Sequence, residues 1–235
     1  MTRSITIVIP TYNERANLET IITELVKLLP EAFVVVVDDN SPDGTGALAD
    51  DLVCRFPGVQ VIHRPSKEGI GPAYVAGFKR ALAMGTDLVA AMDADGSHAP
   101  TDLLRLIEAA ENADLVVGSR YVDGGETAGW PRSRRLLSRF GGIYARWVLG
   151  APIADLTAGF KVYRRDALAS LPLDQIRTDG YGFQIETTWD IWRSGQRVCE
   201  VPITFHDRVA GKSKLSRRIV IEAMIMVWRL RFSGR

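Results

Sequence analysis

Short apolar runs alternate with helix-like segments through the first half of the chain, and this alternation constrains the fold more than any other feature. The runs are rich in β-branched residues and are bounded by turn-forming residues, so they predict strands. The predicted strands are Ile5–Ile9, which Pro10 ends, Phe33–Val37, Val59–His63, Asp87–Met92 and Leu115–Gly118. Phe33–Val37 is apolar throughout, as is typical of a strand buried on both faces of a parallel sheet. The pattern therefore predicts an α/β fold with a mainly parallel sheet flanked by helices.

Apolar residues at helical spacing fill the segments between these strands, and the pattern becomes less regular in the second half. The predicted helices are Asn17–Leu29, Thr45–Phe56, Gly71–Met84, Pro100–Ala110, Ser133–Leu149, Gln184–Arg193 and Ser216–Phe232. Two later strands are predicted: Gly159–Arg164, and an edge strand at Val198–His206 that Pro202 interrupts. The 235 residues contain no linker or repeat, so we expect one domain at 1–215, followed by an apolar and basic amphipathic helix at 216–235.

The two halves of the chain carry opposite net charge. Residues 1–118 contain 9 Lys and Arg against 17 Asp and Glu, a net charge of −8, and residues 119–235 contain 20 against 11, a net charge of +9. This asymmetry suggests a metal site that faces anionic ligands, although a solvated surface or a nucleic-acid site would give the same totals. The hydrophobic content of 46% excludes disordered, collagen-like and coiled-coil proteins.

We expect neither secretion nor insertion into a membrane. The two cysteines, Cys54 and Cys199, form no disulfide framework or metal-ligand pattern, so a reducing compartment is expected. The first apolar run is too short for a signal peptide, and no run reaches the roughly 18 apolar residues that cross a bilayer. The segment Ile219–Trp228, apolar except for Glu222, spans about 15 Å as a helix. It either lies in a membrane interface or docks on the domain core or on a second subunit.

Polar residues follow four of the predicted strands, and open α/β sheets bind ligands at the carboxyl ends of their strands. Asp93-Ala94-Asp95 places two carboxylates where they can hold a hard divalent cation and leave positions for phosphate oxygens, although the triplet alone is common. Asp38 and Asp39 can accept hydrogen bonds from a ribose or a base, or can complete a turn. No P-loop or GxGxxG motif follows the first strand and no GxSxG elbow is present, which argues against P-loop NTPases and Rossmann dehydrogenases.

Several segments together carry a more specific resemblance. They are Ile9–Glu14, Val37–Thr45, Gly69–Tyr74, Met92–Asp95 and Gly118–Val122, continued by Asp155–Phe160 and Arg208–Lys214. In order and spacing they resemble glycosyltransferase family 2, which has the Rossmann-like GT-A fold. Within that family they resemble the polyprenyl-phosphate (dolichyl-phosphate) mannosyltransferases.

The resemblance implies a donor site and a metal site at the strand ends. It implies that the nucleoside of GDP-mannose is held by Pro10, Tyr12, Glu14, Val37 and Asp39. It also implies that Asp93 and the catalytic Asp95 hold Mg²⁺ or Mn²⁺, with the backbone of Ala94 near the diphosphate. Ser97 stands where many relatives have a glutamine that completes the metal shell, and its shorter side chain is expected to reach the metal through a water.

The resemblance further implies a cationic acceptor site in the second half of the chain. Arg120 and Arg134, also predicted to be catalytic, would clamp the acceptor phosphate together with Ser138. Arginine suits this role because its planar fork matches phosphate oxygens. Arg208 and Lys214 would belong to a loop that closes over the donor diphosphate and expels water.

The implied function is transfer of mannose from GDP-mannose to a polyprenyl phosphate by a metal-dependent, inverting single displacement. The protein is expected to be cytoplasmic, peripheral at the inner face of the membrane, and without a nucleic-acid partner. A phosphate acceptor is already an anion, so no strong general base is expected; Asp155 and Glu186 are the carboxylates that would test this. Two alternatives stay open: a family 2 transferase with another nucleotide sugar, such as UDP-glucose, or with a sugar hydroxyl acceptor, and, more remotely, a non-catalytic nucleotide-binding module.

Overall fold

The computed structural model describes residues 3–176, 178, 180–207 and 217–232, and it describes the side chains of the last helix from residue 224 onward. The strands are β1 (Ile5–Thr11), β2 (Phe33–Asp38), β3 (Val59–His63), β4 (Leu88–Ala91), β5 (Leu115–Ser119), β6 (Glu126–Thr127), β7 (Lys161–Arg164), β8 (Val198–Pro202) and β9 (Thr204–Phe205). The helices are α1 (Arg15–Leu28), α2 (Thr45–Arg55), α3 (Ile70–Met84), α4 (Pro100–Ala109), α5 (Arg132–Leu149), α6 (Arg165–Ala169), α7 (Tyr181–Arg193) and α8 (Arg217–Phe232).

Seven strands form one sheet in the order β3-β2-β1-β4-β7-β5-β8. Of these seven, only β7 runs antiparallel to its neighbours, β4 and β5. The predicted α/β fold with a mainly parallel sheet is therefore confirmed, and the helices predicted in the first half match to within two residues.

Pro10 does not end the first strand, contrary to the prediction. The strand continues to Thr11, and Pro10 pairs in register with Val37 of β2. Alternate residues of β1 form hydrogen bonds toward β4 and toward β2. Val8 O accepts from Met92 N, just after β4, whereas Thr11 O accepts from Asp39 N, just after β2. Pro10 faces the same side as Val8, where β4 has already ended, so its missing N–H costs no hydrogen bond of the sheet.

The second half departs further from the predicted elements. The strand predicted at Val198–His206 is divided at Pro202: β8 forms the edge of the large sheet, as expected, and β9 pairs with β6 in a separate two-stranded sheet. The helix α7 begins at Tyr181, three residues earlier than predicted, and neither β6 nor α6 was predicted. Short elements such as these carry too few residues to show a period in the sequence.

Apolar side chains alternate between the two faces of the sheet, so each face has its own core. Ile7 belongs to the core that α1, α2 and α4 cover, and its neighbour Val8 belongs to the core that α3 covers. A third cluster lies among α5, α7 and α8, where Leu149, Trp189 and Val227 are buried. The described part of α8 therefore docks on the protein through one face. No helix in the described part combines the length and apolar content that crossing a membrane requires.

Candidate active site

The carboxyl ends of the parallel strands form a polar rim along one edge of the sheet. The strands β1, β2 and β4 are neighbours, so the segments that follow them lie side by side. Thr11 at the end of β1 pairs with Asp38 at the end of β2. The end of β5 lies at the same edge but is separated from β4 by the antiparallel β7. The four strand ends thus lie along one rim, as expected.

Asp38 and Asp39 are adjacent in sequence, but their carboxylates accept hydrogen bonds from different partners. The carboxylate of Asp38 accepts hydrogen bonds from Thr11 Oγ1 at 2.9 Å, Ser41 Oγ at 2.6 Å and Ser41 N at 3.0 Å. It therefore fixes the turn after β2 to the end of β1. The carboxylate of Asp39 is buried and accepts a hydrogen bond from Arg64 Nη1 at 2.5 Å. Of the two acids, Asp39 is the one not used by the turn.

The segment after β3 brings two cations to the predicted nucleoside residues. Arg64 links Asp39 to Glu68, whose Oε2 accepts from Arg64 Nη2 at 2.6 Å. Lys67 Nζ lies 3.4 Å from the ring centroid of Tyr12, a cation–π contact. Sequence reasoning missed both cations, although both lie in the segment after β3, which ends at the same rim.

The other predicted nucleoside residues differ in what they present to the rim. Pro10 and Glu14 are partly exposed beside it, whereas the side chain of Val37 is fully buried in the core. Val37 can therefore face a ligand only through its backbone. Asn13 and Asn40 adopt the left-handed conformation, with φ of 61° and 56°, in the turns that follow β1 and β2. Asparagine tolerates this conformation better than most residues, which lets both turns fold back sharply.

The Asp93-Ala94-Asp95 segment is held in place by hydrogen bonds at both ends. Tyr74 OH donates to Asp93 Oδ1 at 2.9 Å, and Asp93 N donates to His98 Nδ1 at 3.1 Å. Asp95 Oδ1 accepts from Ser97 N at 3.0 Å. Asp95 is only 5% exposed, so the turn buries this carboxylate instead of presenting it to solvent. Burial and the neighbouring charge of Asp93 raise the pKa of Tyr74 well above its usual value, so this hydroxyl stays a donor.

The oxygens at this turn fit a hard divalent cation. Asp93 and Asp95 supply carboxylates, and Ser97 Oγ is a buried oxygen that has no hydrogen-bond partner among the described residues. Within that part of the chain, no three His, Cys, Asp or Glu side chains form a complete metal centre. A cation would therefore need water and phosphate oxygens as further ligands, which is how Mg²⁺ is usually bound. A Cβ on Gly159 would lie 3.4 Å from Asp93 Oδ2, so glycine keeps this space open.

Arg120, just after β5, forms a buried ion pair with Asp155. Arg120 Nε and Nη2 donate to the two oxygens of Asp155, both at 2.7 Å, and Nη2 also donates to Thr157 Oγ1 at 2.7 Å. Burial alone would raise the pKa of Asp155, but the charge and hydrogen bonds of Arg120 outweigh it and hold this pKa below its usual value. Asp155 is thus a permanent carboxylate that orients Arg120, which leaves Nη1 outside these hydrogen bonds.

Aromatic rings enclose the guanidinium of Arg120. Its carbon lies 5.2 Å from the ring centroid of Tyr121, 5.7 Å from that of Trp130 and 5.3 Å from that of Phe205. The guanidinium of Arg134 lies 4.0 Å from the Trp130 ring centroid, so one indole contacts both arginines. The two predicted acceptor arginines are 14 residues apart in sequence, and the structure brings them together on this ring.

An apolar cavity of about 360 Å³ lies between α5, α7 and α8. Its apolar lining includes Leu137, Phe140, Tyr144, Ile185 and Val227.

Polar groups of the predicted acceptor site line the same cavity. Arg134, Ser138 and Thr157 are among its lining residues. Ser138 Oγ accepts a hydrogen bond from Tyr121 OH at 2.7 Å, and Arg134 Nη1 donates to Asp207 at 2.8 Å. The predicted clamp of Arg120, Arg134 and Ser138 is therefore brought together by the fold, next to a space that suits an apolar chain.

Two of the predicted site residues cannot be placed. Arg208 and Lys214 lie outside the described residues. Sequence reasoning also missed a partly buried acid, Glu200, whose carboxylate accepts from Ala154 N at 2.7 Å and Asp155 N at 2.9 Å and so fixes the segment that carries Asp155.

Residues 6–171 match the family model described as glycosyl transferase family 2. The chain is a family 2 glycosyltransferase. The resemblance carried by the strand-end segments is thus confirmed, and the protein is an enzyme that transfers a sugar.

Alignments with three named relatives cover almost the whole chain. An undecaprenyl-phosphate mannosyltransferase of Micrococcus luteus is 48% identical over 97% of this chain and 94% of its own length. A polyprenol monophosphomannose synthase of Mycolicibacterium smegmatis is 48% identical over 97% of this chain and 87% of its own length. A dolichol-phosphate mannosyltransferase of Pyrococcus furiosus is 37% identical over 96% of this chain, which spans 63% of that protein.

Solved structures confirm the GT-A type of fold. Glucosyl-3-phosphoglycerate synthase from Mycobacterium tuberculosis, solved with Mn²⁺ and UDP-glucose, superposes with a TM-score of 0.69 at 24% identity, over 99% of this chain and 81% of that one. At this identity the likeness concerns the fold alone.

Proposed function

We propose that the enzyme transfers mannose from GDP-mannose to a polyprenyl phosphate and so forms polyprenyl phosphate mannose. One observation carries the choice of acceptor: the apolar cavity is also lined by Arg134 and Ser138. A polyprenyl phosphate joins an apolar chain to an anionic head, and the cavity and its arginines match the two parts. The names of the 48% identical relatives support the same acceptor and the same sugar.

The acceptor side of the site, formed by Arg120, Arg134, Ser138 and the cavity, would act by positioning. A phosphate monoester with a second pKa of about 6 is mostly a dianion at neutral pH, so it can attack without a base. Asp155 is occupied by Arg120 and permanently ionised, which agrees with a site that uses no side-chain base. The arginines would hold the phosphate in line with the sugar and offset its repulsion from the donor diphosphate. A direct attack of this kind inverts the anomeric carbon.

The donor side of the site is formed by the ends of β1, β2 and β4. Tyr12, Glu14 and Asp39 would contact the nucleoside, together with Pro10 and the backbone of Val37. Asp93 and Asp95 would hold Mg²⁺ or Mn²⁺, with Ser97 nearby and the Ala94 backbone near the diphosphate. When bound, such a cation makes the leaving diphosphate less basic. Arg208 and Lys214, outside the described residues, are expected to contact the same diphosphate.

Two helices support peripheral contact with a membrane. On α5, Phe140 is 65% and Trp147 is 74% exposed, and on α8 Phe232 is 76% exposed. Exposed arginines accompany them on both helices, at 132, 135, 139, 146, 229 and 231. Apolar side chains that enter the lipid boundary beside cations on anionic headgroups are typical of interfacial helices. We therefore place the enzyme at the cytoplasmic face of the membrane, where its lipid acceptor would lie.

The proposed donor and acceptor can be tested together with radiolabelled nucleotide sugars. GDP-mannose, UDP-glucose and UDP-galactose would each be mixed with the purified enzyme, a polyprenyl phosphate in detergent and Mg²⁺ or Mn²⁺, and label in the lipid fraction would be counted. We expect label from GDP-mannose only. Equal or greater labelling from a UDP-sugar would overturn the donor, and transfer to a free sugar but not to the lipid would overturn the acceptor.

A further inference from the structure

A buried lysine on β7 has no part in the mechanism above. Lys161 is fully buried, and its Nζ donates to Gln184 O at 2.8 Å, Gln184 Oε1 at 2.8 Å and Thr187 Oγ1 at 3.2 Å. All three acceptors are neutral oxygens of α7. A buried ammonium is costly, so a lysine at this position needs a reason beyond filling the core.

Lys161 lies between the donor and acceptor sides of the site. It pairs with Ala91 of β4 on one side and with Val117 of β5 on the other. Asp93 follows two residues after Ala91, and Arg120 follows three residues after Val117. Burial lowers the pKa of Lys161 to about 7. The negative charges of Asp155, on the acceptor side, and Asp93, on the donor side, raise this pKa but do not offset the burial.

The lysine fixes the orientation of the Gln184 side chain. Nζ donates to Gln184 Oε1, as an ammonium or a neutral amine can, so the oxygen of this amide faces Lys161 and Nε2 faces away from it. Gln184 is only 5% exposed, and its Nε2 group donates to no residue in the described part of the chain. A ligand oxygen that approached this N–H₂ group would supply the acceptor that the described residues do not.

The free amide group adjoins the predicted metal site. A Cβ on Gly159 would lie 3.5 Å from Gln184 Nε2 and 3.4 Å from Asp93 Oδ2. The amide and the carboxylate therefore border the same space next to Gly159. That space lies between the two sides of the site, where the reacting groups must meet.

We propose that Gln184 contacts a substrate oxygen through its amide N–H₂ group and that Lys161 is the positioning residue that orients this amide. The ligand would be an oxygen of the acceptor phosphate or of the mannosyl diphosphate. This proposal rests on the proposed function, because it takes these two substrates as the reacting pair.

The first test replaces the amide while keeping its length. A hydrogen bond to an anionic oxygen contributes about 1.5–3 kcal/mol, so Gln184→Met should lower kcat/KM by about ten- to hundredfold. A rise in the KM of the polyprenyl phosphate would assign the acceptor phosphate as the ligand, and a rise in the KM of GDP-mannose would assign the donor. Thr188→Val is the matched control, since Thr188 Oγ1 donates to the backbone oxygen of Gln184 at 2.9 Å without touching its amide.

The second test asks whether Lys161 acts through Gln184. Lys161→Met should reduce kcat/KM about as much as Gln184→Met does, and it should raise the KM of the same substrate. In the double variant, Lys161→Met should lower kcat/KM less than twofold below the value of Gln184→Met alone, because the effects of residues that act as one unit are not additive. A purely structural lysine would instead give additive losses in both KM values.

Binding measurements keep this inference separate from the proposed function. Calorimetric titrations with GDP plus Mn²⁺, and with a short-chain polyprenyl phosphate, would be made on the wild type and on both variants, with thermal unfolding to confirm folding. If the wild type transfers no mannose, the proposed function fails, and a lower affinity of Gln184→Met for either probe would still support the contact. Unchanged affinities together with unchanged turnover in folded Gln184→Met would overturn it.

Discussion

The proposed donor and acceptor sides of the active site are built in different ways. The donor side consists of short segments that directly follow β1, β2 and β4, and its acids lie in a half of the chain with a net charge of −8. The acceptor side joins residues that are far apart in sequence, such as Arg120 and Asp155, within a half that carries +9. Twelve large apolar side chains are exposed among the described residues, and only Phe33 and Leu104 belong to the first half.

This difference follows from the chemistry of the two proposed substrates. A nucleotide sugar is polar throughout, so strand-end loops with carboxylates and backbone groups suffice to bind it with a metal. A polyprenyl phosphate needs an apolar surface next to a cation, and the fold provides it by placing α5, α7 and α8 outside the sheet. The contrast predicts that substitutions of the donor-side acids affect chemistry alone, whereas substitutions of buried or lipid-facing residues on the acceptor side also affect stability or membrane binding.

The largest effect is expected from Asp95→Asn. The metal contributes several kcal/mol to transition-state stabilisation, so mannose transfer should fall by about a thousandfold. Asparagine keeps the acceptor oxygen for Ser97 N, so the thermal midpoint should stay close to that of the wild type. Initial rates and thermal unfolding would be measured with Asp51→Asn, at an exposed position of α2, as the control. Full activity of Asp95→Asn, or of the wild type in EDTA, would falsify the metal role.

Asp155→Asn should affect both folding and turnover. It leaves the buried Arg120 without its counter-charge, and breaking such a pair costs about 3–5 kcal/mol of the free energy of unfolding. We expect Arg120→Met to cause a similar loss of turnover, since the two residues form one unit. Chemical denaturation and initial rates test this. If Asp155→Asn were as stable as the wild type, bound both substrates and yet lost all turnover, Asp155 would be a base and the phosphate acceptor would lose its chemical support.

Membrane binding should depend on the acceptor side alone. Each large apolar side chain that enters lipid contributes about 1.5–3 kcal/mol, so the double variant Phe140→Ser, Trp147→Ser should bind anionic vesicles at least about tenfold more weakly. Co-sedimentation with phosphatidylglycerol vesicles measures this. Leu104→Ser, which removes an exposed leucine from α4, is the control and should bind like the wild type. Equal binding by all three proteins would show that α5 does not contact the lipid.

Arg134→Gln should raise the KM of the polyprenyl phosphate about tenfold, as expected for the loss of one charge-assisted hydrogen bond. Its stability should change by less than about 1 kcal/mol, because the Arg134–Asp207 pair is partly exposed. The exposed Arg139 on the same helix offers the control variant Arg139→Gln. An unchanged acceptor KM in Arg134→Gln would remove this residue from the clamp.

The sequence predicted the donor side better than the acceptor side, for a physical reason. Asp93, Asp95 and Asp39 are placed by strand ends, and strands show their period and their turn signals locally. It left open which of Asp38 and Asp39 completes the turn, and it did not reveal that Arg64 pairs with Asp39, because that pairing depends on which strands are neighbours.

On the acceptor side, the sequence indicated the two arginines but not the acids with which they form ion pairs. Arg120 and Asp155 come into contact because the antiparallel β7 lies between β4 and β5. No local sequence pattern predicts that β7 is inserted there. The same insertion buries Lys161, and nothing in the segment Gly159–Arg164 indicated its contact with Gln184. Long-range topology therefore accounts for most of what the sequence alone left open.

The smallest effect concerns Lys161, which lies between the two sides. Its pKa falls from 10.5 when unfolded to about 7 when folded, so above pH 7 the unfolded state binds more protons and the free energy of unfolding rises with pH. Between pH 7 and 8 the wild type should gain about 1 kcal/mol relative to Lys161→Met, because the folded protein sheds this proton while the unfolded chain keeps it. Groups common to both proteins cancel in the difference. Urea denaturation of both at each pH measures it, and parallel pH dependences would mean that the folded lysine keeps an ordinary pKa.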